Sequence, residues 1–295
     1  MSEPRAHVRI APGEHLRVRS ADGTVLFAEA VGRGPAMLLC NGLYCSTHYW
    51  PRFVEHFSQT HTVVTFDYRG HGRSAPAPDP EHTDLQTLTH DALAVLDAVT
   101  EGPVIVVGHS MGVRIALELA VRRAARVTAN VLVCGNAWML GNSPLERALE
   151  TVAAGTLRTA GRLGKLTRVL RHLGTEPAMF FTAASLLGGV GRSTPREPVD
   201  ALIANVRQLD VRLMAALARG YLAHDGRALL SRVTQPTLQV IGGLDRLAPP
   251  EHAARIAELL VDVQTTVLPR CTHLAPVEDP LEVHRAVRAF LRPAS

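Results

Sequence analysis

The sequence predicts an α/β fold, a mostly parallel sheet flanked by helices. Three observations carry this expectation. Short runs rich in β-branched residues alternate with segments of helical periodicity. Those runs are apolar throughout, as strands buried on both faces are, rather than alternating apolar and polar. One of them, Val104-Ile105-Val106-Val107, leads straight through Gly108-His109-Ser110-Met111-Gly112 into a helical pattern, a strand–turn–helix unit.

The elements follow in order. His15–Ser20 and Thr24–Val31 flank Ala21-Asp22-Gly23, a hairpin turn signal. Ala36–Cys40 and Thr62–Phe66 are short apolar runs that end in polar loops. Thr83 to Val99 carries Leu85, Leu88, Ala92, Leu93, Val95 and Leu96 at helical spacing. Then come Val104–Val107, a helix from Ser110 to about Arg122, and a strand Val127–Cys134. Near the end, Thr237–Ile241, a helix Pro250–Leu260, Thr265–Leu268 and a helix from about Pro280 to Leu291 repeat the alternation. Residues from about Asn136 to Asp225 break it, with helical patterns but no convincing strand. An insertion there reads as a helical cap, residues 136–225, over the sheet's C-terminal edge, where open α/β sheets bind ligands. The core is then residues 1–135 and 226–295.

Composition narrows the function classes. Hydrophobic residues make up 46% and charged residues 20% of the 295, which suits a globular protein with a sizeable core. Lys165 is the only lysine, and no basic block resembles a nucleic-acid arm. Aromatics are 4%, too few for a base-stacking platform, so nucleic acid is not an expected partner. The N-terminal MSEPRAHVRI carries charges throughout and no apolar core of a signal peptide. The longest apolar stretch, Pro177 to Gly191, is short and glycine-broken. Cys40, Cys45, Cys134 and Cys271 form no C-x-x-C pair, and free thiols in a cytoplasmic setting are expected. The fourteen histidines contain no H-E-x-x-H, so no metal and no cofactor are expected.

Ser110 is the candidate nucleophile. A serine on a strained strand-to-helix turn needs neighbours without side chains two residues either side, and Gly108 and Gly112 supply them. The helix start places a positive dipole end beside it. The hydroxyl needs a base, and the base an orienting acid; in a fold with the nucleophile on such a strand-to-helix turn, the expected chain order is Ser, acid, His, each on a loop after a strand. After Thr237–Ile241 comes Gly242-Gly243-Leu244-Asp245, and Asp245 is the acid. The other natural place for one follows Val127–Cys134, where Gly135-Asn136-Ala137 has no carboxylate. After Thr265–Leu268 comes Pro269-Arg270-Cys271-Thr272-His273, and His273 is the base.

With these residues in place the chain resembles the α/β-hydrolase superfamily along nearly its whole length. Beside Gly-His-Ser-Met-Gly it has Asp67-Tyr68-Arg69-Gly70-His71-Gly72-Arg73-Ser74, similar to the family's Asp-x-Arg-Gly-x-Gly-x-Ser loop, which is mainly architectural. The branch it looks most like is the capped group of enol-lactone hydrolases, cofactor-free haloperoxidases, epoxide hydrolases and haloalkane dehalogenases. The last two use Asp as nucleophile, so Ser110 argues for acyl chemistry. The resemblance implies an oxyanion hole from the N–H of Met111 and of Leu43, in the loop Asn41-Gly42-Leu43-Tyr44-Cys45. Relatives usually carry His-Gly where this chain has Asn41-Gly42, and Asn41 keeps a polar side chain to brace the loop.

The expected activity is hydrolysis of an ester or lactone of an apolar small molecule through an acyl-enzyme on Ser110. A C–C bond hydrolase or thioesterase would use the same residues, and a receptor on this fold with little turnover is the different-class alternative. Substrate contacts are expected from Tyr44, Trp138, Phe180, Phe181, Leu186, Leu247 and Leu274. Arg158, Arg162, Lys165, Arg168 and Arg171 recur at helical spacing opposite Leu163, Leu166, Val169, Leu170 and Leu173. A solvated face is the preferred reading of this stripe; attraction to anionic membranes, fatty acids or phosphate-bearing carriers is the sharper one. Oligomeric state is not legible.

Overall fold

The computed structural model describes residues 13–139, 147, 150, 176–191 and 194–292. The basic stripe at 157–173 lies outside the described residues. Eight strands form one sheet: β1 (His15–Arg19), β2 (Val25–Val31), β3 (Ala36–Cys40), β4 (Thr62–Phe66), β5 (Val104–His109), β6 (Val127–Val133), β7 (Thr237–Gly242) and β8 (Val263–Leu268). Their spatial order is β1-β2-β4-β3-β5-β6-β7-β8. β1 and β2 run antiparallel to their neighbours and the other pairs are parallel.

Side chains alternate across the sheet, so two cores form. Leu38, Val64, Phe66, Val104 and Val106 face α2 (Leu85–Val99), α3 (Gly112–Arg122) and α8 (Pro250–Ala257), meeting Leu88, Leu96, Ile115, Leu119 and Ile256. Met37, Leu39, Val63, Ile105 and Val107 face α1 (Pro51–Phe57) and α10 (Pro280–Phe290), meeting Phe53, Phe57, Val283 and Val287. This is why the central strands read as unbroken apolar runs.

Between β6 and β7 the described residues add α4 (Pro177–Leu186), α5 (Arg196–Gln208), α6 (Val211–Ala223) and the short α7 (Arg227–Leu230), and no strand. Among the described residues no helix is long and apolar enough to cross a membrane. The Asp67–Ser74 loop is tied both to itself and to neighbouring segments. Asp67 accepts from the backbone N–H groups of Thr47 (2.8 Å) and Arg73 (2.9 Å), and Arg69 pairs with buried Asp91 through two bonds of 2.7 and 2.6 Å. A Cβ on Gly72 would lie 2.4 Å from the Asp67 carboxylate.

Some boundaries shift for local reasons. α2 begins at Leu85 because Asp84 caps it, accepting from the Thr87 N–H at 2.8 Å. α3 begins at Gly112 rather than Ser110, because Ser110 sits at φ +54°, outside the helical region.

Candidate active site

The sheet's order reverses between β3 and β5. β3 is followed in sequence by β4 on one side, and β5 by β6 on the other. Their C-terminal ends are level, with Cys40 opposite Gly108. A crevice opens at such a switch point. The Gly42 loop leaves β3 there and Ser110 leaves β5.

The turn at Ser110 is as tight as the glycines imply. A Cβ on Gly108 would lie 2.3 Å from the Gly112 carbonyl oxygen, and one on Gly112 would lie 2.2 Å from that of Cys40. Ser110 itself holds a left-handed backbone that costs a non-glycine residue about 1–2 kcal/mol. The turn is tied down by the Ser110 N–H bond to Val133 (3.1 Å) and by the Val113 N–H bond to the Ser110 carbonyl (3.0 Å).

Ser110 Oγ lies 2.8 Å from His273 Nε2, and His273 Nδ1 lies 2.9 Å from Asp245 Oδ2. Asp245 is buried after β7, and its Oδ1 accepts from the N–H groups of Leu247 (2.8 Å) and Ala248 (2.9 Å). Both Asp245 oxygens are therefore engaged. The Nδ1–H donates to the carboxylate, leaving Nε2 free to take a proton from the hydroxyl.

The His273 backbone is fixed as well. His109 Nε2 lies 2.9 Å from the His273 carbonyl oxygen, which only accepts, so Nε2 carries the proton. Tyr49 stacks on the imidazole at 4.4 Å with its hydroxyl 3.1 Å from the same nitrogen. Burial, and then the nearby His273, push the His109 pKa down to about 3, so this ring stays neutral. Sequence reasoning missed this histidine, although it stands inside the Gly-x-Ser-x-Gly turn.

The loop after β3 lies against the nucleophile. A Cβ on Gly42 would be 3.2 Å from Ser110 Cβ and 3.1 Å from His109 Nδ1. Asn41 braces this loop: its Nδ2 donates to the Phe66 carbonyl (2.7 Å), and its Oδ1 accepts from Trp50 Nε1 (2.7 Å). Neither the Leu43 nor the Met111 N–H has a backbone acceptor among the described residues. Cys45 lines the site, but burial pushes its thiol up to about 12, so it is protonated and inert as a nucleophile.

Above Ser110 is a cavity of about 270 Å³. Tyr44, Phe180, Leu247 and Leu274 line it, as do Leu43, His109, Ser110 and His273. Trp138, Phe181 and Leu186, expected as substrate contacts, do not. Trp138 turns away to meet His252 edge-on at 4.5 Å. Phe181 carries the Arg196 guanidinium 4.8 Å over its ring. Leu186 is 73% exposed. The missed lining residues include Leu187 and Val190 beside α4, Val199 and Leu202 on α5, and Tyr221 on α6. The Tyr44 and Tyr221 hydroxyls donate elsewhere, to the Met214 carbonyl (2.7 Å) and to Asn136 Oδ1 (2.9 Å). Apart from the histidines, no ionisable acid or base of Asp, Glu, Lys or Arg type lines the cavity among the described residues.

Residues 35–280 match the family model described as alpha/beta hydrolase fold. Among curated proteins, the chain is 27% identical over 262 residues to "Putative carbamate hydrolase RutD" of Pseudomonas syringae, covering 87% of this chain and 93% of that one. It is 26% identical over 250 residues to a pimeloyl-[acyl-carrier protein] methyl ester esterase of Nitrosospira multiformis, covering 84% and 91%. Among solved structures, the enol-lactonase of Burkholderia xenovorans superimposes with a TM-score of 0.72 at 21% identity, over 94% of this chain and 99% of that one. The match to the family model, spanning most of the sheet and both loops that meet at Ser110, shows that this chain belongs to the α/β-hydrolase fold family.

Proposed function

We propose that this chain is a serine hydrolase that cleaves an ester or lactone of a small, neutral, apolar molecule. The observation that carries the reading is the Ser110–His273–Asp245 relay, with bonds of 2.8 and 2.9 Å, opening into an apolar cavity. Ser110 attacks the carbonyl as His273 takes its proton, and Asp245 stabilises the resulting imidazolium. The N–H groups of Leu43 and Met111 hold the oxyanion. His273 returns the proton to the leaving group, and then activates a water that releases the acid and restores Ser110. Helices α4, α5 and α6 act as the cap that closes the cavity.

Relatives named for an ester, a carbamate and an enol-lactone support hydrolysis at an acyl carbon. The lining of this cavity favours the ester or lactone of an uncharged group. An apolar cavity of about 150 Å³ accepts benzene, so about 270 Å³ admits roughly ten carbon atoms. Each methylene buried there contributes about 0.8 kcal/mol, nearly fourfold in kcat/KM. The test is a series of p-nitrophenyl esters of graded chain length with wild type and Ser110→Ala. The expected result is a rise from acetate to medium chains, then a fall once the cavity is full, and no turnover by the variant above background. A wild type that prefers acetate, or turns over charged acyl groups best, contradicts this reading.

A further inference from the structure

Glu278 is a carboxylate in contact with the base loop that the proposed reaction does not use. It closes α9 (Ala275–Glu278), the short helix that follows His273. Its Oε2 accepts from the Thr272 N–H at 2.6 Å, and its Oε1 from the Thr272 hydroxyl at 2.6 Å. Thr272 immediately precedes His273. The same Oε1 accepts from the Thr194 hydroxyl, and from the Gly191 N–H at 3.3 Å. Gly191 and Thr194 lie between α4 and α5, in the stretch assigned to the cap. A Cβ on Gly191 would lie 3.0 Å from Thr272 Cγ2, so the two segments meet closely. No cation pairs with Glu278 among the described residues; its charge is met by these donors alone.

We propose that Glu278 is a positioning residue that couples the cap to His273. The inference rests on the reading of His273 as the base. The His273 carbonyl is already fixed by His109, and Glu278 fixes the amide of the preceding residue. One carboxylate thus orients the base loop through Oε2 and receives the cap through Oε1. When the cap lifts, Oε1 loses two of its donors, the carboxylate turns to water, and the Thr272 backbone loses its anchor. His273 is then in line with Ser110 only while the cap is seated. Closure over a substrate and assembly of the relay become one event.

The test uses the full chain with Glu278→Gln, Thr194→Val and the double variant, alongside Ser110→Ala and His273→Ala. The readouts are kcat and KM on p-nitrophenyl butyrate, the rate of fluorophosphonate labelling of Ser110, and thermal unfolding. Thr194→Val removes the cap's hydroxyl, and with it the 2.7 Å bond that this oxygen accepts from the Gly191 N–H, and leaves both Thr272 bonds in place. It should lower kcat and the labelling rate by about fivefold to tenfold while the protein stays folded, since a small misplacement of a catalytic group can cost up to about 100-fold. Glu278→Gln presents an N–H₂ to donors and should lose about tenfold or more. The double variant should be no worse than Glu278→Gln alone, because both changes break one linkage. Wild-type kcat in Thr194→Val, or losses that multiply in the double variant, overturns the coupling. If Glu278→Gln does not fold, Thr194→Val decides. Should Ser110→Ala and His273→Ala keep turnover, the serine-hydrolase reading itself fails. If they are inactive while the Thr194 and Glu278 variants keep wild-type kcat, only the coupling fails.

Discussion

Asp245 shows how little freedom a residue has in this site. Its Oδ1 serves two N–H groups of its own loop, so Oδ2 alone is left for His273. In Asp245→Asn the remaining oxygen would stay with the Leu247 and Ala248 amides and the new N–H₂ would face Nδ1. Nδ1 must then accept, the proton moves to Nε2, and the imidazole cannot take the Ser110 proton. We expect kcat to fall by roughly 10³–10⁴-fold with the fold intact; near-wild-type kcat would assign the acid to another carboxylate. A second prediction concerns the buried histidines. Burial, and then its stacked neighbour His56, push His284 down to about 4, and burial chiefly holds His109 at about 3. An unfolded histidine titrates near 6.5. Between that value and the folded ones the unfolded chain binds more protons, so stability is full above pH 6.5 and is lost as pH falls through 4 towards 3. His284 packs among Phe53, Phe57 and His56, with Arg288 on the same helix near His56. Unfolding temperature should fall between pH 6.5 and 4, and His284→Phe should lessen that fall. An equal fall in both proteins would remove His284 from the account.

The elements of the sheet were legible and those of the cavity were not, for a physical reason. A catalytic side chain at the end of a buried strand can be placed by chain order, because strand ends share one edge and the loops there are short. Ser110, Asp245 and His273 were placed in this way, and the structure brings them within hydrogen-bonding distance of one another. The cavity wall comes from helices α4, α5 and α6, and a helix must be rotated correctly before its lining is known. α4, PAMFFTAASL, is apolar on nearly every face, so no stripe distinguishes Phe180 from Phe181 or Leu186 from Leu187. The structure resolves the choice: Phe180 and Leu187 face the cavity, Leu186 faces outward. Phe180→Ala or Leu187→Ala should flatten the rise of kcat/KM with acyl length and leave acetate hydrolysis close to wild type, read from the slope of the chain-length series. Leu186→Ala should leave that slope unchanged. A slope altered by Leu186→Ala but not by Phe180→Ala would mean α4 is turned the other way in the working enzyme. Glu278 went unread for a related reason. Its partners lie on segments far apart in sequence, and nothing local to Glu278 signals a contact with Gly191 and Thr194.

At the scale of the whole molecule, the sheet provides a fixed edge and the inserted helices provide the enclosure. The switch point between β3 and β5 brings the Gly42 loop and the Ser110 turn together, and β7 and β8 deliver Asp245 and His273 to the same edge. In the proposed reading the sheet edge carries the chemistry, and the helices that cover it set substrate choice. The central claim is that Ser110 becomes covalently acylated in each turnover. The most direct measurement is intact-protein mass after rapid acid quench with p-nitrophenyl butyrate, for wild type and Ser110→Ala, with peptide mapping of any adduct. We predict a butyryl mass increment on Ser110 alone in the wild type. In Ser110→Ala we predict no adduct and a loss of kcat on the order of 10⁴-fold or more, without loss of fold. Turnover at the wild-type rate in Ser110→Ala, or an acyl group mapped to a different residue, would contradict the account.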